Sequence, residues 1–193
     1  MKLTSTCISL ALPAILHQSV FECATFKLII VSEQTMKPVY GLERFQEKLS
    51  RAGNAEVTCM RYASGERRDI IGEIKSLHPD LLITVDLAGF EQCTLTDNIS
   101  YNLLDCKQLH LLLHENLPNE PYLAGQLSIA MFFYCAGDAY YDALLRRYPN
   151  LPWLKKLPGW QNGADKLTGN HNGEILLTAF QEVLRECTFC NSQ

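Results

Sequence analysis

Asp86 is the residue whose type and place in this chain point most directly to chemistry. It closes the run Asp80 to Leu87, Asp-Leu-Leu-Ile-Thr-Val-Asp-Leu, and a carboxylate at the end of a buried strand must be hydrogen-bonded, paired or turned toward a solvated site. Two readings stand side by side. Either Asp86 caps the following loop by accepting backbone N–H groups, or it contacts a ligand or cation and is the best catalytic candidate in the chain. His110 and His114 lie four apart, with Glu115 beside the second. On an extended strand, at about 3.3 Å per residue, the two imidazoles sit ~13 Å apart, too far to share one ion. On a helix they would meet on one face and a metal would become credible. The strand reading assigns His110 to packing and His114 to the strand-end loop, with no metal site.

Other reactive patterns are thin. Cys187-Thr188-Phe189-Cys190 has ligand spacing, but a structural zinc needs four ligands and no second pair accompanies it. The pair also follows a helix instead of opening one, so nothing lowers a thiol pKa for redox work. The chain has no Gly-x-Gly-x-x-Gly turn, no Gly-x-x-x-x-Gly-Lys-Ser/Thr loop and no Gly-x-Ser-x-Gly elbow. No cofactor is expected. A phosphate could still sit at a helix opening near Pro38, where free N–H groups and the dipole favour an anion and Lys37 supplies counter-charge.

The elements that would position these groups follow from periodicity. Lys27 to Val31 is a continuous apolar run of the kind found in strands buried on both faces. Pro38 suits the first turn of a helix carrying Leu42, Phe45 and Leu49, stopped by Gly53-Asn54. Ala55 to Arg61 alternates and reads as a strand near a sheet edge. A helix from Glu66 to Leu77 shows Ile70, Ile71, Ile74 and Leu77 on one face and ends at His78-Pro79. Asp80 to Leu87 is the clearest central strand, and Leu109 to Leu113 is a fourth. Ser128 to Tyr134 favours a fifth strand, although Leu123 to Phe133 also fits a buried helix. Ala139 to Tyr148 reads as helix. Leu151 to Gly173 reads as irregular because of Pro152, Pro158, Gly159, Gly163, Gly169 and Gly173, and Glu174 to Glu186 as the final helix. Strands linked by helices of this length predict an α/β, doubly wound, mostly parallel sheet of about five strands with helices on both faces, Rossmann-like or flavodoxin-like.

With 193 residues, 47% of them hydrophobic, the chain can fill one core, so 27–186 is expected to form a single domain followed by a tail at 187–193. The 17 basic and 21 acidic side chains leave a net charge of -4, which offers no field for a phosphate backbone, and nucleic acid is not an expected partner. Arg67-Arg68, Arg146-Arg147 and Lys155-Lys156 read as solvated faces of helices or loops. Eight cysteines among apolar neighbours suit a reduced, cytoplasmic protein. Residues 1–26 read as a segment packed on the domain or as a signal-like leader; Met1 to Leu16 is too short to span a bilayer, and membrane association is not expected.

In an open parallel sheet the ligand crevice lies beyond the carboxyl ends of the strands, where the strand order reverses. That edge would present Ser32, Glu33 and Lys37 after the first strand, Asp86 and Gly89 after the third, His114 after the fourth and Asp138 after the fifth. The polar stretch Glu91 to Asp105 adds Asn98 and Tyr101, since long loops of this kind are uncommon unless they work. The aromatics from Tyr140 to Trp160 read first as a lid packed over the sheet and second as a ligand or partner surface.

His78-Pro79-Asp80 through Asp86 and Ala88-Gly89-Phe90 resembles the Rossmann-like N-terminal half of two-domain glycosyltransferases of the GT-B type. The resemblance covers Lys27 to about Trp160 and implies a nucleotide sugar or its acceptor as ligand. A complete enzyme of that type needs a second such domain, so it implies an acceptor-side half working with a partner chain. The chain also resembles the response-regulator receiver, whose phosphoacceptor aspartate ends the third strand as Asp86 does. It departs from that pattern at Ser32-Glu33, where receivers hold an acidic pair, and in lacking an equivalent lysine after a fifth strand, so phosphorylation is not carried over. The expectation is a binding domain for a small polar or phosphate-bearing ligand; the alternative is a regulatory module with a protein partner or second copy of the chain.

Overall fold

The computed structural model describes residues 26–33, 41–51, 55–63, 69–89, 104–115, 117, 120–125, 131–151, 153–162 and 165–190. They form one sheet of six strands: β1 (Phe26–Glu33), β2 (Ala55–Tyr62), β3 (Leu81–Val85), β4 (Lys107–Leu112), β5 (Met131–Ala136) and β6 (Leu154–Leu157). The spatial order is β2-β1-β3-β4-β5-β6, and every neighbouring pair runs parallel. The doubly wound α/β reading therefore holds, with one strand more than expected, and β2 is an edge strand as its alternating pattern predicted.

The central strands β3, β4 and β5 are buried along nearly their whole length because both of their faces are covered. Leu28 and Ile30 of β1 join Ile83, Leu111 and Tyr134 in a core with α1 (Leu42–Arg51) and α4 (Lys166–Cys190). Ile29 and Val31 point the other way, into a core with α2 (Ile70–Leu77) and α3 (Asp138–Arg147). Alternation along the strand thus feeds two layers. On the first face the Phe45 and Phe180 rings meet edge-on, 5.8 Å between centroids, and burial of a side chain that size contributes roughly 1.5–3 kcal/mol.

The stretch from Leu151 to Gly173 is regular in part. Residues 154–157 make β6, which pairs Phe133↔Leu154 through Ala136↔Leu157 along the otherwise open edge of β5. Lys155 and Lys156 thus belong to an edge strand, not to a helix or loop, and charged lysines are a common device for blunting such an edge. The last helix begins at Lys166, eight residues before the expected Glu174, because Asp165 caps it. One carboxylate oxygen of Asp165 accepts from the amides of Leu167 (2.8 Å) and Thr168 (2.9 Å), and the other accepts from the Thr168 hydroxyl (2.9 Å). Gly173, which suggested a break, sits inside the helix where α1 crosses: an added Cβ would lie 3.0 Å from Cβ of Arg44. The helix then continues to Cys190, through the first part of the expected tail.

Smaller shifts in the expected boundaries have local causes. The fifth strand occupies Met131–Ala136, and residues 120–125 form a 3-10 turn instead of the start of a buried helix. α2 starts at Ile70, where Asp69 caps the amide of Gly72 at 2.8 Å; Glu66 and Pro38, the expected helix starts, lie outside the described residues. No described helix is long and apolar enough to cross a membrane.

Candidate functional site at the carboxyl edge of the sheet

The strand order reverses between β1 and β3, since the chain adds β2 on one side of β1 and then β3, β4, β5 and β6 on the other. At that point β3 does not fade into a loop. Asp86 donates its amide to the carbonyl of Leu111 (2.7 Å) and Ala88 donates to the carbonyl of Val85 (3.0 Å). Asp86, Leu87 and Gly89 take positive φ values of 51°, 58° and 86°. Glycine adopts that region freely, whereas a leucine there is strained by contact of its Cβ with the backbone. The turn is therefore over-determined by its surroundings, a condition common at binding sites.

The surroundings are those of the Asp86 carboxylate, whose side chain is 1% exposed. Oδ1 accepts the consecutive amides of Leu113 (2.6 Å) and His114 (3.0 Å), and Oδ2 meets Nδ1 of His114 at 2.6 Å. Burying an ionised carboxylate is costly unless charge-assisted hydrogen bonds replace its water, and here three donors converge on two oxygens. Asp86 thus does accept backbone N–H groups, but those of the loop after β4, not of its own following loop. A carboxylate only accepts, which assigns the imidazole proton to Nδ1 and leaves the basic lone pair of neutral His114 on Nε2. The His114 side chain is 56% exposed.

Two of the nominated residues, Asp86 and His114, are therefore brought into contact. Gly89 lies buried in the same turn. Ser32 and Glu33 are half-buried at the end of β1, opposite Arg61 and Tyr62 of β2, on the far side of the reversal point. Asp138 opens α3 after β5 but turns away, its carboxylate 3.1 Å from Nζ of Lys156 on β6, which raises the lysine pKa. Lys37, Asn98 and Tyr101 lie outside the described residues. His110 is buried, stacked on Phe133 with 4.8 Å between ring centroids and bonded through Nδ1 to the Thr84 hydroxyl at 2.7 Å. It serves the core and not a shared ion. Among the described residues no group of three or more His, Cys, Asp or Glu side chains is gathered as a metal site.

Two polar clusters were not visible in the sequence. Buried Glu120 accepts from the hydroxyls of Tyr140 (3.1 Å) and Tyr148 (3.4 Å) and from Arg147, tying the 3-10 turn to α3. Its partners are 20 to 28 residues away, beyond any local pattern. A groove of about 310 Å³ runs between the end of β6 and α4, past His171, Glu174 and Glu182. Of its carboxylates, Glu182 is engaged by Tyr134 and Lys155, and Glu174 by Lys48 through Oε1, while Glu174 Oε2 is buried without a hydrogen-bond partner among the described residues. The aromatics of 140–160 are mostly committed to packing: Tyr140 is buried, Trp153 meets Phe132 edge-on at 5.3 Å, and Trp160 lies against the core. Cys106 and Cys135 are free thiols whose pKa values burial pushes up to about 11 and about 12, which keeps them protonated and unreactive.

Comparison of the chain with protein-family models, with curated proteins and with solved structures finds no match in any of the three.

Proposed function

We propose that this chain is a Rossmann-like binding domain that takes a small polar or phosphate-bearing ligand at the carboxyl edge of its sheet, in the crevice where β1 parts from β3. The observation that carries this reading is the coincidence of two features at one place. The reversal of strand order among the described strands stands beside a strained turn held by a carboxylate that is 1% exposed. Parallel sheets bind ligands at such reversals because the loops on either side diverge there and open a cleft. A polar turn and an imidazole at its wall suit a polar or hydroxyl-rich ligand. The resemblance to one half of a GT-B glycosyltransferase makes nucleotide sugars and their parts the first class to try.

The test is a thermal-shift and NMR titration with UDP-glucose, GDP-mannose, UDP and AMP. A ligand at about a hundred times its dissociation constant adds about 2.7 kcal/mol to stability, which for a domain of this size raises Tm by roughly 5–10 °C. The amide shifts should concentrate at 32–33, 86–89 and 113–115. Saturable binding that perturbs a different edge of the sheet, or no response at millimolar concentrations, would overturn the reading.

A further inference from the structure

We propose that the groove between the end of β6 and α4 is a second binding site, for a small organic amine: a protonated primary amine carried on an apolar body such as a single ring. It lies on other strands than the cleft where β1 parts from β3, so it stands or falls without that reading. The groove encloses about 310 Å³, at the small end of the range for small-molecule sites, roughly 300–1,000 Å³. Leu157, Ile175 and Ala179 give it an apolar lining, and Glu174 and Glu182 of α4 stand along it.

The class of ligand follows from which hydrogen-bonding groups in the lining are already committed. The Tyr134 hydroxyl donates to Glu182 Oε2 at 2.6 Å, and the Thr178 hydroxyl donates to the backbone carbonyl of Glu174 at 3.0 Å. His171 meets the carbonyl of Gly159 through Nε2 at 2.9 Å. A carbonyl only accepts, so the His171 proton sits on Nε2 and Nδ1 keeps a lone pair. The Lys156 ammonium is drawn to Asp138 of α3, 3.1 Å away in the opposite layer. What the groove offers a ligand is therefore acceptors: His171 Nδ1, the Thr178 oxygen and the carboxylates. Each carboxylate has about four lone-pair sites, and Lys48 and Lys155, which hold them from outside the lining, leave most of these unused. Glu174 is a donor short, because its Oε2 is buried without a hydrogen-bond partner among the described residues. A buried acceptor left unmade costs free energy that an N–H restores, and the terminal torsion of a glutamate is soft enough to turn that oxygen to the groove. An anion would meet two carboxylates there, and an alcohol brings a single donor and no charge. An ammonium brings several donors and a positive charge at once, and the chain's net charge of -4 adds to its attraction.

The test titrates the full chain, labelled with nitrogen-15, at pH 7 with three probes of similar shape: 2-phenylethylammonium, 2-phenylethanol and 3-phenylpropionate. We expect saturable amide shifts from the ammonium at 157, 159 and 171–182, with a dissociation constant on the order of a millimolar for a probe of this size. The alcohol and the carboxylate should bind at least about tenfold more weakly, since neither makes a charge-assisted donor bond. Thr178→Lys sets a cation at an exposed position of α4, where lysine is also the better helix former. It should weaken the ammonium about tenfold or more and tighten the carboxylate. The proposal is overturned if the alcohol or the carboxylate binds as tightly as the ammonium, if the ammonium is indifferent to Thr178→Lys, or if its shifts fall at 32–33, 86–89 and 113–115 instead. Absence of saturation at about ten times the expected constant overturns it equally. The ranking of the three probes is read on the unsubstituted chain, so a variant that fails to fold leaves the test intact.

Discussion

His110 makes the stability of this fold depend on pH in a way that can be calculated. The ring is fully buried between Phe133 and Thr84, and burial pushes its pKa from the ordinary 6.5 down to about 3 because the imidazolium would lose its water. Above pH 6.5 the imidazole is neutral in both folded and unfolded chains and contributes nothing. As pH falls below that point the unfolded chain binds a proton that the folded chain refuses, so stability declines by a little over 1 kcal/mol per pH unit until pH nears 3. Between pH 6.5 and 4.5 the loss is about 2 kcal/mol, a large share of the 5–15 kcal/mol typical of a domain. The double variant His110→Phe/Thr84→Val keeps a ring against Phe133 and removes both hydrogen-bonding partners together, so no orphaned hydroxyl remains. Urea denaturation from pH 7.5 to 4.5 should give two curves that run parallel above pH 7 and diverge below it, the variant losing about one proton's worth less of stability. If both proteins lose stability with the same slope, the buried neutral histidine is not the cause and the reasoning fails.

Two glycines with similar backbone angles should respond differently to alanine. Gly41, at φ +107°, has the Cβ of Asn172 only 2.7 Å from where its own would stand, whereas Gly137, at φ +91°, has nothing within 4 Å. Gly137→Ala should cost about 1–2 kcal/mol from backbone strain alone, and Gly41→Ala several more as α1 is forced off α4; equal losses in urea titrations would show that the helix contact is slack. Glu120→Ala leaves the Tyr140 hydroxyl buried without its acceptor, a loss of about 1–3 kcal/mol. Adding Tyr140→Phe should restore part of it, and strictly additive losses in the double-mutant cycle would refute the coupling.

What the sequence made legible follows from what covers each strand. The runs at 27–31, 80–87 and 109–113 are dominated by apolar residues because helices pack on both faces, and that pattern needs no tertiary information to read. β6 is different. Its four residues include Lys155 and Lys156 and are flanked by Pro152 and Pro158, a composition that disfavours strand, and it forms because the edge of β5 offers unpaired backbone groups. The front of α4 was hidden by the same logic: Gly169 and Gly173 break helices in isolation, but here Gly173 permits the close crossing of α1. At the site, Asp86 and His114 could each be nominated from strand ends, but their contact could not, since it depends on β3 and β4 being neighbours. Glu120 left no local signal at all.

The identity of residue 86 separates a structural role from a chemical one. If the turn after β3 needed only a cap for the amides of Leu113 and His114, an asparagine carbonyl would accept the same two bonds. Asparagine also tolerates positive φ, here +51°, and carries no charge to desolvate. An ionised carboxylate in that place, 1% exposed, is the more expensive choice by the desolvation of a charge. Its one advantage over the amide is at Oδ2, where it fixes the tautomer of His114 and would offset a positive charge on the ring. A pair with one partner more than half exposed adds little to stability, about 1 kcal/mol or less. Asp86→Asn should therefore leave the urea midpoint nearly unchanged while inverting the imidazole tautomer. A collapse of the fold in that variant would mean the carboxylate is there to hold β3 to β4.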